Sequence, residues 1–195
     1  MTLEDVAADV RRCRACALHR TRKKPVPGEG SGRSGVVLIG EAPGAKEDAL
    51  GRPFVGSAGK LLDRMLRFAG LARSEVFITN VVKCRPPGNR PPKPAEVRAC
   101  ARHLRLQLNI IAPELVCTMG NSALRALVDP KGNITRLRGR IVEKDGRRYL
   151  PLYHPAAILY RRKLIKEMEE DFRRLGRIAR RAGRAAQTRL TTEEE

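Results

Sequence analysis

VVLIGEAPG, at Val36–Gly44, is the stretch whose reading decides the fold. Val36–Gly40 is a short apolar run ending in glycine, the signature of a buried strand. The next residues, Glu41–Gly44, interrupt that run with a proline and a second glycine. Glycines let the backbone approach a ligand closely, and free amides ahead of a following helix can donate hydrogen bonds. Glu41 adds a carboxylate at that mouth. An ordinary strand-to-loop turn with a solvated glutamate has the same residues, so neighbouring segments must decide between the two.

Outward from this stretch, the chain alternates. Ser57–Phe68 is a helix by spacing, with Leu61, Leu62, Met65, Leu66 and Ala69 on one face. Val76–Val82 is a second β-branched strand. Cys84–Pro94 is crowded with prolines, Gly88 and Asn89, and is therefore a stiff loop. Pro94 suits the first turn of a helix on which Val97, Cys100, Ala101, Leu104 and Leu108 recur, so that Cys100 faces the protein body. Leu115–Gly120 is a third strand, followed by a short helix at Ser122–Val128. Tyr149–Tyr153 is a fourth strand. Pro155 opens a long final helix with a stripe of Ile165, Met168, Phe172, Leu175 and Ala179. Alternation of this kind predicts a three-layer α/β/α sandwich around a four-stranded, largely parallel sheet. One domain is expected over residues 1–182, with a flexible tail over 183–195 ending in acidic Glu193–Glu195.

In such sheets ligands bind beyond the carboxyl ends of the strands. Gly40–Gly44, Asn80 and His154 all fall there. Asn80 ends the second strand, and its carboxamide presents an acceptor beside a donor. That pair matches N3–H and O4 of uracil and opposes the reversed edge of cytosine. A mismatch leaves buried polar groups unmet at roughly 1–3 kcal/mol each. His154 can donate to an oxygen on which negative charge builds. Phe54 lies in the loop GRPFVG at Gly51–Gly56, where an aromatic can stack on a base face or plug the core beneath the loop. His19 and His103 carry no comparable context and are taken as surface or helix residues.

The 195 residues carry 40 Lys and Arg against 21 Asp and Glu, a net charge of +19. That excess favours a polyanionic partner. The basic stretches Arg11–Lys24, Lys83–Lys93 and Arg161–Arg184 are candidates for a phosphate-binding face. No run of about 18 apolar residues occurs, so no membrane span is expected, and the N-terminus lacks a signal-type apolar segment. A cytoplasmic location follows, and reducing conditions there favour metal binding over disulfides. Cys13, Cys16, Cys84 and Cys100 could hold zinc or a 4Fe–4S cluster, and spacing does not choose between them. Cys117, inside an apolar strand, is a core residue.

Together these segments resemble the family 4 uracil-DNA glycosylases, the thermostable iron–sulfur branch of their superfamily. The similarity spans roughly Leu3 to Phe172. It is carried by CRAC at Cys13–Cys16, GEAPG at Gly40–Gly44, GRPFVGSAG at Gly51–Gly59, NVVKCRPPGNRPP at Asn80–Pro92, Cys100, and HPAA at His154–Ala157. The resemblance implies a monofunctional DNA repair enzyme that hydrolyses the N-glycosidic bond of deoxyuridine in single- or double-stranded DNA. It implies one structural 4Fe–4S cluster on Cys13, Cys16, Cys84 and Cys100. Gly40, Glu41 and Ala42 match the loop holding uracil and the attacking water, and Phe54 the stacking aromatic. Asn80 matches the base-reading amide, His154 the donor to O2, and Glu47 the position that guards against thymine's methyl. A wedge that fills the gap left by the flipped nucleotide is expected among Ile158–Arg161. No basic insert lies between Gly44 and Gly56, which argues against covalent bonding to DNA. A monomer is expected, and contacts with a sliding clamp or other repair enzymes leave no motif. The rival readings are a same-fold enzyme for another deaminated base and a non-catalytic iron–sulfur protein that binds nucleic acid.

Overall fold

A computed structural model describes the backbone of residues 1–192 and the side chains of residues 1–181. Four strands, β1 (Val36–Gly40), β2 (Phe77–Asn80), β3 (Leu115–Met119) and β5 (Arg147–Leu152), run parallel. A fifth, β4 (Val142–Lys144), pairs antiparallel with β5 at the edge. The order is β2-β1-β3-β5-β4. The sheet therefore has five strands where four are expected from the sequence. The extra strand is half-exposed Val-Glu-Lys, too short and polar to show an apolar run. Its turn was nonetheless readable: Asp145 and Gly146 both take positive φ (49° and 71°), the Asp-Gly requirement of a tight hairpin.

Between the strands run α1 (Leu3–Arg12), α2 (Ala45–Leu50), α3 (Ser57–Ala69), α4 (Pro94–Ile111), α5 (Gly120–Leu127), α6 (Ile134–Leu137), α7 (Pro155–Tyr160) and α8 (Ile165–Thr192). Helices α3, α7 and α8 pack in one group, and α1 packs on α4. The core is drawn from the predicted apolar faces. Leu62, Met65 and Leu66 of α3 are buried, as are Met168, Phe172 and Leu175 of α8 and nearly all of β1 and β3. Gly176 lets α8 press against α3, since a Cβ there would stand 2.1 Å from the Ala69 carbonyl oxygen.

One expected element is divided. The helix opened by Pro155 ends at Tyr160, Arg161 leaves helical geometry (φ −128°, ψ 70°), and a 3₁₀ turn at Arg162–Leu164 leads into α8. Both α7 and α8 pack on α3. The bend lets two consecutive segments reach one helix, a tertiary demand that propensity does not encode. The tail expected beyond residue 182 falls partly on the backbone of α8, while Glu193–Glu195 lie outside the described residues.

The topology fixes where a ligand can sit. The chain leaves β1 for β2 on one side and returns to β3 on the other. The carboxyl ends of β1 and β3 therefore bound a crevice at the point where the strand order reverses.

Candidate active site

A pocket of about 560 Å³ opens at that end of the sheet. Such a volume accommodates a flipped nucleotide rather than a few waters. Each parallel strand delivers a lining residue at or just past its C-terminus: Glu41 after β1, Asn80 at the end of β2, Ser122 after β3 and His154 after β5. Phe54 joins them from the loop between α2 and α3.

Gly40 forms the floor. A Cβ on it would meet Asn80 Oδ1 at 2.5 Å and Phe54 Cζ at 2.6 Å, so only glycine lets carboxamide and ring close over this strand. Asn80 is buried, and its Oδ1 has no partner within the protein. A buried, unpaired acceptor at the wall of a pocket costs about 1–3 kcal/mol until a ligand satisfies it.

Phe54 sits at φ +50°, the left-handed region, which costs a non-glycine residue about 1–3 kcal/mol. Its surroundings enforce that conformation. Glu47 Oε1 accepts from the amides of Val55 (2.9 Å) and Gly56 (2.8 Å), Arg73 Nη2 donates to the Pro53 carbonyl at 2.5 Å, and Gly59 leaves room for the Phe54 carbonyl. The ring is both core and pocket wall: it is 6% exposed, and its centroid lies 5.6 Å from that of His154.

His154 caps α7. Its Nδ1 accepts from the Ala156 amide at 3.1 Å, so in the neutral ring the hydrogen sits on Nε2. Burial lowers the pKa to about 4, against a small upward pull from Glu47. The imidazole is thus held neutral, with one N–H to offer. Glu41 accepts a short hydrogen bond on Oε2 from the Ser122 hydroxyl.

The cysteines gather elsewhere. Cys13 ends α1 and Cys16 opens the 3₁₀ turn Ala17–Arg20; Cys84 follows β2 and Cys100 lies on α4. All four line one cleft, with Arg22 and Lys83 at its side. Arg22 Nη1 donates to Cys84 Sγ (3.0 Å) and the Lys83 amide to Cys100 Sγ (3.3 Å). Among the described residues no three His, Cys, Asp or Glu side chains converge on the position of a single metal ion. Four soft donors facing one cleft, with cations to offset thiolate charge, fit a metal–sulfur body that the four share. Cys117 is buried in β3, well inside the core.

A model of the uracil DNA glycosylase superfamily matches residues 27–176. The chain belongs to that superfamily, in its type-4 branch. A type-4 uracil-DNA glycosylase of Archaeoglobus fulgidus is 43% identical over 185 residues, covering 91% of this chain and 93% of that protein. One from Sulfurisphaera tokodaii is 43% identical over 187 residues, covering 91% and 85%. One from Thermotoga maritima is 44% identical over 162 residues, covering 82% and 84%.

Against this type-4 framework, the pocket holds Glu41, Ala42, Glu47, Phe54, Asn80 and His154 together, with Gly40 beneath them. Sequence reasoning missed Ser122, although it follows a predicted strand end and the same rule that found Asn80 could have found it. It also placed Lys83 on a phosphate-binding stretch and His103 at the surface or on a helix. Lys83 is fully buried, and His103, on α4, is buried at the cysteine cleft with both ring nitrogens unpartnered. Lys83 thus departs from the expected phosphate-binding face, whereas His103 does lie on a helix, as expected, but on its inward side.

Proposed function

We propose that this protein is a monofunctional DNA repair enzyme that hydrolyses the N-glycosidic bond of deoxyuridine in DNA, releasing uracil and leaving an abasic site. The observation that carries this reading is the meeting of Glu41, Asn80 and His154 from three separate strand ends, closed by Phe54, in one nucleotide-sized pocket.

The residues divide the work. Arg and Lys hold phosphates while the base leaves the stack. Phe54 stacks on the flipped ring. Asn80 Oδ1 accepts from uracil N3–H, and its amide donates to O4. Glu47 holds the Phe54 loop and stands where thymine's methyl would intrude. Glu41, steadied by Ser122, orients a water whose oxygen bonds C1′ as the C1′–N1 bond breaks. The water's proton passes to Glu41 or solvent. Uracil departs as an anion, and Nε2–H of His154 donates to the oxygen where its charge gathers. Of the wedge candidates, Ile158 is buried, whereas Leu159 is 45% and Tyr160 89% exposed. Arg161 is exposed as well, but Tyr160 also lines the pocket, and Leu159 and Tyr160 offer the apolar surface suited to fill the gap in the duplex.

Cys13, Cys16, Cys84 and Cys100 hold one 4Fe–4S cluster, which supplies cross-links among the N-terminal segment, the loop after β2 and α4. No helix among the described residues is long and apolar enough to cross a membrane. The enzyme works as a cytoplasmic monomer on the cell's DNA.

The test uses oligonucleotides bearing uracil, cytosine, thymine or hypoxanthine. Release of uracil alone, leaving an alkali-labile but unbroken strand, is expected. Asn80→Asp should narrow the gap between uracil and cytosine. Retained binding without abasic sites on any substrate would overturn the enzymatic reading, and release of hypoxanthine instead of uracil would overturn the substrate.

A further inference from the structure

One residue of the cysteine cleft reaches the strand end that carries Asn80. Lys83 is fully buried, and all its polar groups are engaged. Its amide donates to Cys100 Sγ (3.3 Å), and its carbonyl accepts from the Val26 amide (2.7 Å). Its Nζ donates to Thr79 Oγ1 (2.5 Å), the Asn80 carbonyl (2.9 Å) and Gln107 Oε1 (2.7 Å). Thr79 and Gln107 both donate onward to the Pro27 carbonyl, at 3.0 and 2.7 Å, which closes the network. Each Nζ acceptor is neutral. A buried amine bonded only to neutral groups carries a desolvation cost that an apolar side chain would not. Core stability alone therefore does not account for a lysine here. Nor is it a nucleophile toward the base: it lines the cysteine cleft and not the pocket, and three acceptors occupy its nitrogen.

We infer that Lys83 is a positioning residue that couples the cysteine cleft to the base-reading amide of Asn80. From one backbone position it grips Cys100, adjoins Cys84, and fixes the peptide from which the Asn80 carboxamide projects. Gln107 extends the same link. It lies seven residues beyond Cys100 on α4, so the helix that carries one cysteine also holds the amine. Order in the cleft sets the aim of the carboxamide, and, because coupling between two sites is reciprocal, a base seated in the pocket orders the cleft.

This inference rests on the reading of the pocket as a uracil site and the cleft as a cluster site. Iron content and uracil release by the unmodified protein test that reading separately. The coupling is tested on the holo-protein by following loss of the cluster's visible absorption to a chelator. One oligonucleotide carries 2′-fluoro-2′-deoxyuridine, which resists cleavage, and a matched one carries thymidine. Coupling predicts bleaching about fivefold slower with the fluorinated uridine than with thymidine. In Lys83→Met that difference disappears, and kcat for uracil release falls about tenfold through misaim of Asn80. If Lys83→Met does not fold, Gln107→Met, which removes one acceptor, decides by the same comparison. Equal bleaching with the two oligonucleotides in the unmodified protein, or undiminished protection in the folded variant, overturns the proposal.

Discussion

Ser122 donates its hydroxyl hydrogen to Oε2 of Glu41, joining the turn after β3 to the turn after β1 across the crevice. The bond leaves Oε1 as the freer oxygen to face a water. Without it the carboxylate keeps its charge and loses its orientation. Ser122→Ala should therefore lower kcat about fivefold, the worth of roughly 1 kcal/mol for one hydrogen bond. KM should hardly change, and Ser122→Thr should recover most of the loss. Steady-state kinetics on a uracil oligonucleotide check this, and an unaltered kcat in Ser122→Ala would remove the residue from the mechanism.

Gly40 lies beneath the contact between Asn80 and Phe54. Alanine in a strand normally gains about 0.5–1 kcal/mol over glycine. Here its Cβ would stand 2.5 Å from Asn80 Oδ1 and 2.6 Å from the Phe54 ring, and one of them must move. Gly40→Ala should keep its fold by circular dichroism yet lose about 10²-fold in single-turnover rate, because displacement by an ångström is enough to spoil alignment. A variant as fast as the parent would mean that the two side chains need not close over this strand.

Legibility in the sequence followed the strength of local signals. Val36–Gly40 announced itself as an unbroken apolar run, buried along its whole length, and the stripe of α8 because burial repeats at the helical period. Asn80 and His154 were found because each stands at a strand end, where a parallel sheet presents its ligands. What escaped was set by tertiary contact. The bend at Arg161 exists because α7 and α8 share α3. The edge strand β4 is too polar to look like a strand. Lys83 is a polar residue in the interior just past a strand, where no period marks burial, whereas His103 shares the helical face of Cys100, Leu104, Gln107 and Leu108 and was open to the same spacing argument. The four cysteines were readable as a set, but their meeting needed α1, the loop after β2 and α4 to converge.

His154 is held in the form that the proposed role requires. Burial lowers its pKa to about 4, and its Nδ1 is engaged by the Ala156 amide. A lowered pKa means that the neutral ring persists down to about pH 4, rather than charging below the usual 6.5. Nitrogen-15 NMR of the imidazole should show a single neutral tautomer, protonated at Nε2, at pH 6. The rate of uracil release should accordingly show no His154-dependent fall between pH 8 and 5. His154→Ala should lose about 10²–10³-fold, as for removal of one donor to a developing anion. Titration of the ring between pH 6 and 7, or a loss below about threefold, would be incompatible with this assignment.

Asp171 ties α8 to the segment after α6, and its titration should be visible in stability. It is buried against Arg138 Nε at 3.3 Å, and Arg138 itself lies over the Tyr153 ring at 5.3 Å. Glu167, Glu170 and Arg174 are the other charges that act on it, and burial raises its pKa to about 6 despite Arg138. Because the folded value lies above the unfolded one, the folded state holds the proton more tightly. That contribution is fully present below about pH 4 and is lost as pH rises through about 6. Asp171→Asn, which removes the titration, should therefore gain thermal stability relative to the unmodified protein as pH is raised from 4 to 7, by about 1 kcal/mol after allowing for solvent screening. Paired melting curves across that range check the sign. A difference in Tm that stays constant with pH, or shifts against the variant, would show that Asp171 is ionised in the folded protein throughout.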